Sequence, residues 1–209
     1  LSKPMRVTFA TFAVGMMALA GVPFLFSGFW SKEAILHAAH EWDVSCLPLT
    51  MGLMAVVLTA FYMTRLVAET FFGKPRSHAA EHAPENSAVM TAPLVILALC
   101  AIALGFLGTP AWPWLQSALT GVPVPPVEWH AIFEGAGLMM LSIVLVALGL
   151  GTGWAVYWRR LRQTESAPDP LATAAPALFT FLGARMKFDE LYAATFGRLN
   201  AFLATLADF

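Results

Sequence analysis

Charged residues are scarce in this chain. Only 12% of its 209 residues are Asp, Glu, Lys or Arg, about half of the roughly 25% found in typical soluble domains, whereas 58% are hydrophobic. This balance argues against a soluble domain and favours an all-α protein that crosses a membrane several times. The net charge of −1 gives no indication of a nucleic-acid partner, and we expect none.

Cysteine is also rare, and Cys46 and Cys100 lie in separate apolar runs. These two cysteines do not form a disulfide framework, and we expect them to be small buried side chains. The HAAEH sequence of residues 78–82 matches a zinc peptidase pattern, but it lies among prolines without a further ligand. Because the sequence also lacks a haem, flavin or iron–sulfur ligand set, we expect neither a metal nor a cofactor.

Long apolar runs make up much of the chain. Because a membrane span needs about 20 mostly apolar residues, the sequence predicts about four transmembrane helices. They cover approximately residues 7–29, 48–72, 89–107 and 131–158. The first is broken near Gly21 and Pro23, because proline lacks a backbone donor and disfavours helix at the residue before it.

Basic residues cluster at alternate ends of these spans. The clusters are, in chain order, Lys3 with Arg6, Lys74 with Arg76, and Arg159 with Arg160 and Arg162. The loops at about residues 37–47 and 108–130, after the first and third spans, contain no Lys or Arg. The positive-inside rule therefore predicts that the N-terminus and the C-terminal helix lie on the cytoplasmic side of the cell inner membrane.

The last part of the chain changes character. Residues 163–176 are small, polar and rich in proline, which predicts a linker. Beyond them, apolar residues recur at helical spacing, but charged residues interrupt them too often for a membrane span. This pattern predicts the start of an amphipathic lateral helix over 177–209, with Asp189 as a candidate cap. The rest of the chain is predicted to form two domains, a broken span (1–45) and three further spans (46–162).

Lys32 and Glu33 follow the first apolar run, in the sequence GFWSKEAIL. One continuous helix over residues 7–40 would be about 50 Å long, whereas a hydrocarbon core is about 30 Å thick. We therefore predict a break near residues 21–28 and a restart near Ser31, which would be the N-cap with Glu33 in the first turn. Lipid does not tolerate the backbone groups that a break frees, and broken helices are typical of ion and proton pathways.

The residues alone leave two interpretations of Lys32 open. A lysine removed from water can exchange a proton and depends on nearby carboxylates for its charge, which would give Lys32 and Glu33 a role in proton transfer. Alternatively, both are interface residues after a span that ends at Trp30. His37 and His40 follow on the same stretch, where they are either a proton relay or ordinary interfacial side chains.

Two further features lie inside the predicted spans. Arg65 and Glu69 are four residues apart, so they can pair on one helix face, and a channel role for Arg65 is the alternative. The GLGTG sequence of residues 149–153 has no preceding strand, and close helix packing explains it better than nucleotide binding.

Three segments resemble one known family. They are ALAGVPFLFSGFWSKEAIL (18–36), LTAFYMTRLVAETFFGKPR (58–76) and FDELY (188–192). In the same order they resemble parts of the large antiporter-like subunit of respiratory complex I, subunit L of NADH–quinone oxidoreductase. The resemblance implies a C-terminal fragment of this subunit in the proton-translocating membrane arm, where its partners are other membrane-arm subunits, the lipid bilayer and protons. It also implies that Lys32 lies in the outward proton path with Glu33 as its acidic neighbour.

Other functions remain as alternatives. The family's earlier helices, with their glutamate–lysine pair and central lysine, are absent from this sequence, so we do not expect the chain to pump alone or to perform redox or hydrolytic chemistry itself. Close alternatives are the homologous subunit of a multisubunit cation/proton antiporter or of a membrane-bound hydrogenase. A purely structural membrane fragment that braces adjacent subunits is the third.

Overall fold

The computed structural model describes residues 4–72, 78–133, 135–158 and 169–207. Across these ranges the backbone is mainly helical, in agreement with the all-α prediction. The chain divides into two compact units, Leu1–Glu165 and Ser166–Phe209, and each is described by itself.

The first unit contains long apolar helices joined by short elements. Its helices are α1 (Arg6–Ala20), α2 (Ser27–His40), α3 (Leu47–Phe71), α4 (His78–Glu81), α5 (Ala88–Leu107), α6 (Trp114–Thr120) and α7 (Ala136–Trp158). The other elements are a two-residue antiparallel pair of strands, β1 (Gly108–Thr109) with β2 (Trp112–Pro113), and a 3-10 turn (Trp129–Phe133).

In the described ranges, three helices are long and apolar enough to cross a membrane, namely α3, α5 and α7. The bounds of α3 and α5 agree with the second and third predicted spans to within one residue. Helix α7 begins at Ala136 rather than at the predicted residue 131, because a 3-10 turn precedes it and Gly135 has a φ of 77° that an α-helix does not contain. The chain is an all-α polytopic membrane protein.

The first predicted span consists of two helices rather than one. Helix α1 ends at Ala20 and α2 begins at Ser27, so the intervening break includes both Gly21 and Pro23. Each half is too short to cross the hydrocarbon core alone, since 15 and 14 residues at about 1.5 Å each give little more than 20 Å. The break therefore lies where the sequence predicts it, and the crossing of the membrane by the two halves together stays a prediction.

The predicted restart of this span was placed too late. Helix α2 begins at Ser27, and Phe26 occupies its N-cap position without a side-chain hydrogen bond. Ser31 is therefore not the cap; it lies inside α2, where its hydroxyl donates to the carbonyl of Gly28 at 3.3 Å. Glu33 likewise lies beyond the first turn. The start of the helix was predicted from a capping residue, and this prediction was wrong because α2 starts without a capping side chain.

Helices α2, α3 and α7 share the core of the first unit. Buried Leu36 of α2 packs with Val56 of α3 and Val146 of α7. A second buried cluster joins the aromatic rings at the start of α2 to Met139 of α7. Both clusters fix α2 against α7, so the side chains that follow the break have defined neighbours.

Both cysteines are exposed, so their predicted burial was wrong. Cys46 is the residue immediately before α3, and Cys100 lies on α5, whose residues are mostly exposed. Burial of Cys100 was predicted because its neighbours in the sequence are apolar. A side chain on a helix is buried, however, only if it lies on the face that contacts another helix.

The second unit consists of short helices. They are α8 (Pro170–Ala174), α9 (Pro176–Gly183), a 3-10 turn (Arg185–Lys187), α10 (Phe188–Tyr192), a π-helical turn (Ala193–Gly197) and α11 (Arg198–Ala207). The segment predicted as a linker thus includes a helix, capped by the Asp169 carboxylate, which accepts from the N–H of Leu171 at 2.9 Å. This cap gives α8 a defined start.

The predicted lateral helix is interrupted once. Residues Arg185, Met186 and Lys187 all have positive φ values between 52° and 59°, which separates α9 from the helical stretch that begins at Phe188. Asp189 lies inside α10 rather than at its cap, and its carboxylate pairs with the Arg185 guanidinium at 2.5 Å. The sequence favoured Asp189 as a cap because it could not show the turn before it.

Most of the basic residues behind the predicted orientation lie outside the described residues. These are Lys3, Lys74, Arg76, Arg159, Arg160 and Arg162. The sidedness of the chain therefore stays a prediction.

Candidate functional site

The break begins with a tight turn at the end of α1. Gly21 adopts a left-handed conformation, with φ 80° and ψ 42°, and its N–H donates to the carbonyls of Met17 and Ala18. The N–H of Val22 donates to the Met17 carbonyl as well, at 3.0 Å. Glycine suits this position because residues with a side chain rarely adopt that conformation. The turn stops α1 and directs the chain away from its axis.

Lys32 binds the end of α1 through its ammonium group. The Nζ atom donates a hydrogen bond to the carbonyl oxygen of Leu19, in the last turn of α1. A Cβ on Gly21 would lie 3.2 Å from Cδ and 3.3 Å from Nζ of the lysine, so the glycine also leaves room for this side chain. A cation at the C-terminal end of a helix is favoured by the helix dipole. The half-buried lysine is thus bound to the break itself.

Glu33 points to a different neighbour. Its side chain is buried, with 5% of the residue exposed, and Oε2 accepts a hydrogen bond from the Ser142 hydroxyl of α7 at 2.7 Å. The other oxygen, Oε1, is buried without a hydrogen-bond partner among the described residues. A buried carboxyl group with one oxygen fixed and the other unpartnered has capacity for a further proton or donor.

Ser142 can satisfy this carboxyl group in two ways. Its Oγ atom lies 2.7 Å from Glu33 Oε2 and 3.0 Å from the carbonyl oxygen of Met139. A hydroxyl has one proton to donate and two lone pairs to accept. Ser142 can therefore donate to a carboxylate, or accept from a carboxylic acid while it donates to Met139.

His37 lies one helical turn beyond Glu33. Its Nε2 atom is 3.7 Å from Glu33 Oε1, and about a third of its side chain is exposed. A Cβ on Gly135, in the turn before α7, would overlap the imidazole ring, so this glycine makes room for the histidine. The imidazole thus stands between the buried carboxyl group and a more accessible region.

The structure brings together some of the predicted site residues and separates others. Glu33 and His37 form one cluster, whereas Lys32 turns toward α1 and makes no ion pair with the adjacent Glu33. His40 is exposed at the end of α2. Arg65 is distant in the fold, on α3, where its guanidinium lies 5.8 Å from the centre of the Tyr157 ring.

Ser142 was not identified from the sequence. It is 109 residues from Glu33, in an apolar helix where a lone serine has no distinctive spacing. A buried serine in a predicted span is a weak signal for interhelical hydrogen bonding, and it does not name the partner. In the described part of the chain, no group of three or more His, Cys, Asp or Glu side chains is placed to hold a metal ion.

Comparison with known proteins finds relatives that match most of the chain. Residues 1–59, which contain the break and all of α2, match a family model described as the transmembrane part of NADH:quinone oxidoreductases and Mrp antiporters. NADH-quinone oxidoreductase subunit L of Mycobacterium tuberculosis is 33% identical over 194 residues, which cover 90% of this chain and 28% of the relative. The chain is a relative of the antiporter-like subunits known as subunit L and chain 5.

Further relatives extend the match over the whole chain. F(420)H(2) dehydrogenase subunit L of Methanosarcina mazei is 29% identical over 234 residues, covering 100% of this chain and 34% of the relative. NAD(P)H-quinone oxidoreductase chain 5 of Synechocystis is 29% identical over 233 residues, covering 92% of this chain and 33% of the relative. The chain therefore spans about a third or less of the length of these subunit L and chain 5 relatives.

Proposed function

We propose that this chain is part of the proton-translocating membrane arm of an NADH–quinone oxidoreductase, and that Lys32 carries protons at the break between α1 and α2. One observation carries the role of the lysine: its ammonium binds the Leu19 carbonyl at the broken end of α1. A snorkelling lysine would instead extend away from the protein toward the headgroups.

The chemistry of lysine suits this role. An amine can lose and regain a proton when its surroundings change, whereas a guanidinium stays charged at any working pH. The break supports such an exchange, because the ammonium is bound by the neutral carbonyl of Leu19. Residues upstream in the intact subunit would supply the remaining proton path.

The same proposal gives the chain a location and partners. We place it in the cell inner membrane, with its N-terminus and C-terminal helix on the cytoplasmic side. Its partners are other membrane-arm subunits, lipid and protons. Exposed apolar residues on α10 and α11, such as Leu191, Leu199 and Phe202, give the second unit a surface for lipid or for a neighbouring subunit.

Replacing the lysine tests the proposal. In the assembled complex, Lys32→Ala should lower coupled proton pumping by about tenfold or more, since a positioned acid–base group contributes roughly 10²–10⁴-fold. Lys32→Arg should also be impaired, because its charge does not leave. The measurement is the pumping rate and the proton-to-electron ratio in sealed vesicles, with assembly verified separately.

A matched control is Lys187→Ala, which removes a lysine from the second unit and should pump normally. If assembled Lys32→Ala complexes pumped at the wild-type rate and ratio, Lys32 would not be a proton carrier. Normal pumping by Lys32→Arg would show that only its positive charge matters.

A second candidate function is cation/proton antiport. The description of the matching family model covers Mrp antiporters as well as oxidoreductases, and the model covers the break itself. Purifying the assembly and assaying NADH:quinone activity separates the two functions. An assembly without any electron-transfer subunit that exchanged sodium for protons would favour the antiporter.

A further inference from the structure

We propose that Glu33, Ser142 and His37 form a proton-transfer unit of their own, in which a proton passes between the carboxyl group of Glu33 and the imidazole of His37. We call these three residues the carboxyl–imidazole unit. The inference rests on the proposed function, because it concerns protons that the membrane arm moves, and it assigns them a path that does not run through the Lys32 contact.

The first argument is the direction of the side chains. Neighbouring residues on a helix are about 100° apart around its axis. Lys32 accordingly faces α1, where it binds Leu19, whereas Glu33 faces α7, where it binds Ser142. The two adjacent residues therefore belong to different contacts.

The second argument is that Ser142 supports both states of the carboxyl group. When Glu33 is ionised, the serine hydroxyl donates to Oε2 across 2.7 Å. When Glu33 is protonated on Oε2, it can donate to Oγ while the hydroxyl turns to the Met139 carbonyl at 3.0 Å. Glu33 Oε2 is thus hydrogen-bonded to Ser142 whether it carries a proton or not, which avoids a cost of about 1–3 kcal/mol for leaving this buried atom unpaired.

The third argument is the position of His37. Its Nε2 is 3.7 Å from the unpartnered Oε1 of Glu33, and a shift of about 0.7 Å would bring the pair to a hydrogen-bond distance of about 3.0 Å. The transfer moves one proton from the imidazolium Nε2 to Oε1 of the carboxylate, while Oε2 keeps its hydrogen bond from Ser142. It leaves a neutral imidazole and a carboxylic acid. The reverse step restores the charges, and neither step requires an oxidant or reductant.

A line of ionisable groups leads away from this pair. Glu33, His37 and Glu41 are spaced by four residues, so they lie along one face of α2 and its end, about 6 Å apart along the axis. Glu33 is buried, His37 is half-buried and Glu41 is exposed. Exposure thus rises step by step toward the loop between α2 and α3, as a proton path to that surface requires.

Neighbouring elements also carry ionisable groups. Those on the described helices packed against α2 are Arg6 on α1, Tyr62, Arg65 and Glu69 on α3, Cys100 on α5 and Tyr157 on α7. Tyr157 and Arg65 are neighbours at the far end of α7, where Tyr157 is about 22 Å along the helix from Ser142. His130 lies in the 3-10 turn before α7. Within 4 Å of the Glu33 carboxylate, His37 is its one ionisable neighbour in the described ranges.

The test compares two histidines of the same helix in the assembled complex. His37→Gln should reduce the proton-pumping rate by at least about tenfold and change the pH profile of that rate, because glutamine cannot take up and release a proton. His40→Gln, its exposed neighbour, should leave the rate and profile unchanged. A wild-type profile in His37→Gln, or equal losses in both variants, would overturn the inference.

Ser142 provides a second test that does not depend on assembly of the His37 variant. Ser142→Ala should shift the midpoint of the pH profile, and Ser142→Thr should restore it, because threonine keeps the hydroxyl. An unchanged profile in Ser142→Ala contradicts the inference. The Lys32→Ala variant separates the two hypotheses. If Lys32→Ala lost pumping while His37→Gln pumped normally, the carboxyl–imidazole unit alone would be refuted. If Lys32→Ala pumped normally, the proposed function would be refuted.

Discussion

At the scale of single residues, Glu85 ties the loop after α4 to the first turn of α1. Its Oε2 accepts from the N–H of Val7 at 2.7 Å, and its Oε1 accepts from the Thr8 hydroxyl at 2.6 Å. Free N–H groups at a helix start favour a carboxylate. The hydrogen bond from Thr8, followed by those from the backbone, holds the pKa of Glu85 below its ordinary value.

This contact predicts a pH dependence. Because the pKa of Glu85 is lower in the folded state, its stabilising effect is present above the unfolded value of about 4.3 and is lost as the pH falls through the folded value. Hydrogen-exchange protection of Val7 and Thr8 should therefore be high near about pH 6 and should fall below about pH 4. Glu85→Ala should be poorly protected at both pH values.

The control for this prediction is Glu81→Ala, which removes a carboxylate from α4 on the same connection between α3 and α5. It should keep the protection of the first turn of α1. If Glu85→Ala left the exchange of Val7 and Thr8 unchanged near neutral pH, the contact would not form in solution.

At the scale of helices, α7 approaches α3 through two of its glycines. A Cβ on Gly149 would lie 2.6 Å from the Val57 carbonyl oxygen, and one on Gly153 would lie 2.8 Å from Cβ of Thr64. Gly151, between them, has no atom within 4 Å of such a Cβ. Small residues four positions apart allow close packing of membrane helices, so packing explains the GLGTG sequence.

These glycines provide a prediction with an internal control. Gly149→Ala and Gly153→Ala should each destabilise the protein by about 1–3 kcal/mol, because the added methyl group meets backbone or a branched side chain. Gly151→Ala should be neutral or slightly stabilising, since alanine favours helix over glycine by about 0.5–1 kcal/mol. Thermal unfolding in detergent measures the difference. Equal midpoints for all three variants would contradict the close approach of α3 and α7.

The helices themselves were largely predictable from the sequence. Apolar length places α3 and α5 to within one residue, and Gly21 with Pro23 places the break, because both signals are local. The restart at Ser27 was missed because α2 begins without a capping side chain, so the preference for serine pointed to Ser31 instead.

The candidate site was predictable only in part. Lys32, Glu33 and His37 stand out because polar residues are rare near an apolar run. Their partners do not, since Ser142 and the Leu19 carbonyl come into contact through the packing of α2 against α7 and α1. The sequence places Lys32 and Glu33 side by side, whereas the structure gives each of them a separate contact.

At the scale of the whole molecule, the orientation in the membrane follows from charge. Helices α3, α5 and α7 are each long enough to cross, and the two shorter helices α1 and α2 precede them. If the basic clusters face the cytoplasm, reporter domains fused after Arg76 and after Arg162 should report the cytoplasmic side. A reporter fused at Gly121, in the segment between α6 and α7, should report the outer side.

This prediction depends on the number of crossings. An outside signal after Arg162 would mean that one predicted span does not cross, and an inside signal at Gly121 would mean that α5 does not. Comparing the three fusions in the same membranes separates these outcomes.

The contact between Lys32 and the end of α1 also affects the stiffness of the connection between α1 and α2. A charged donor makes a hydrogen bond roughly twice as strong as a neutral one. The joint between the two half-helices is therefore stiffer when the lysine is an ammonium and looser when it is an amine. If Lys32 exchanges protons as we propose, each change of its charge would therefore also change the stiffness of the connection between α1 and α2.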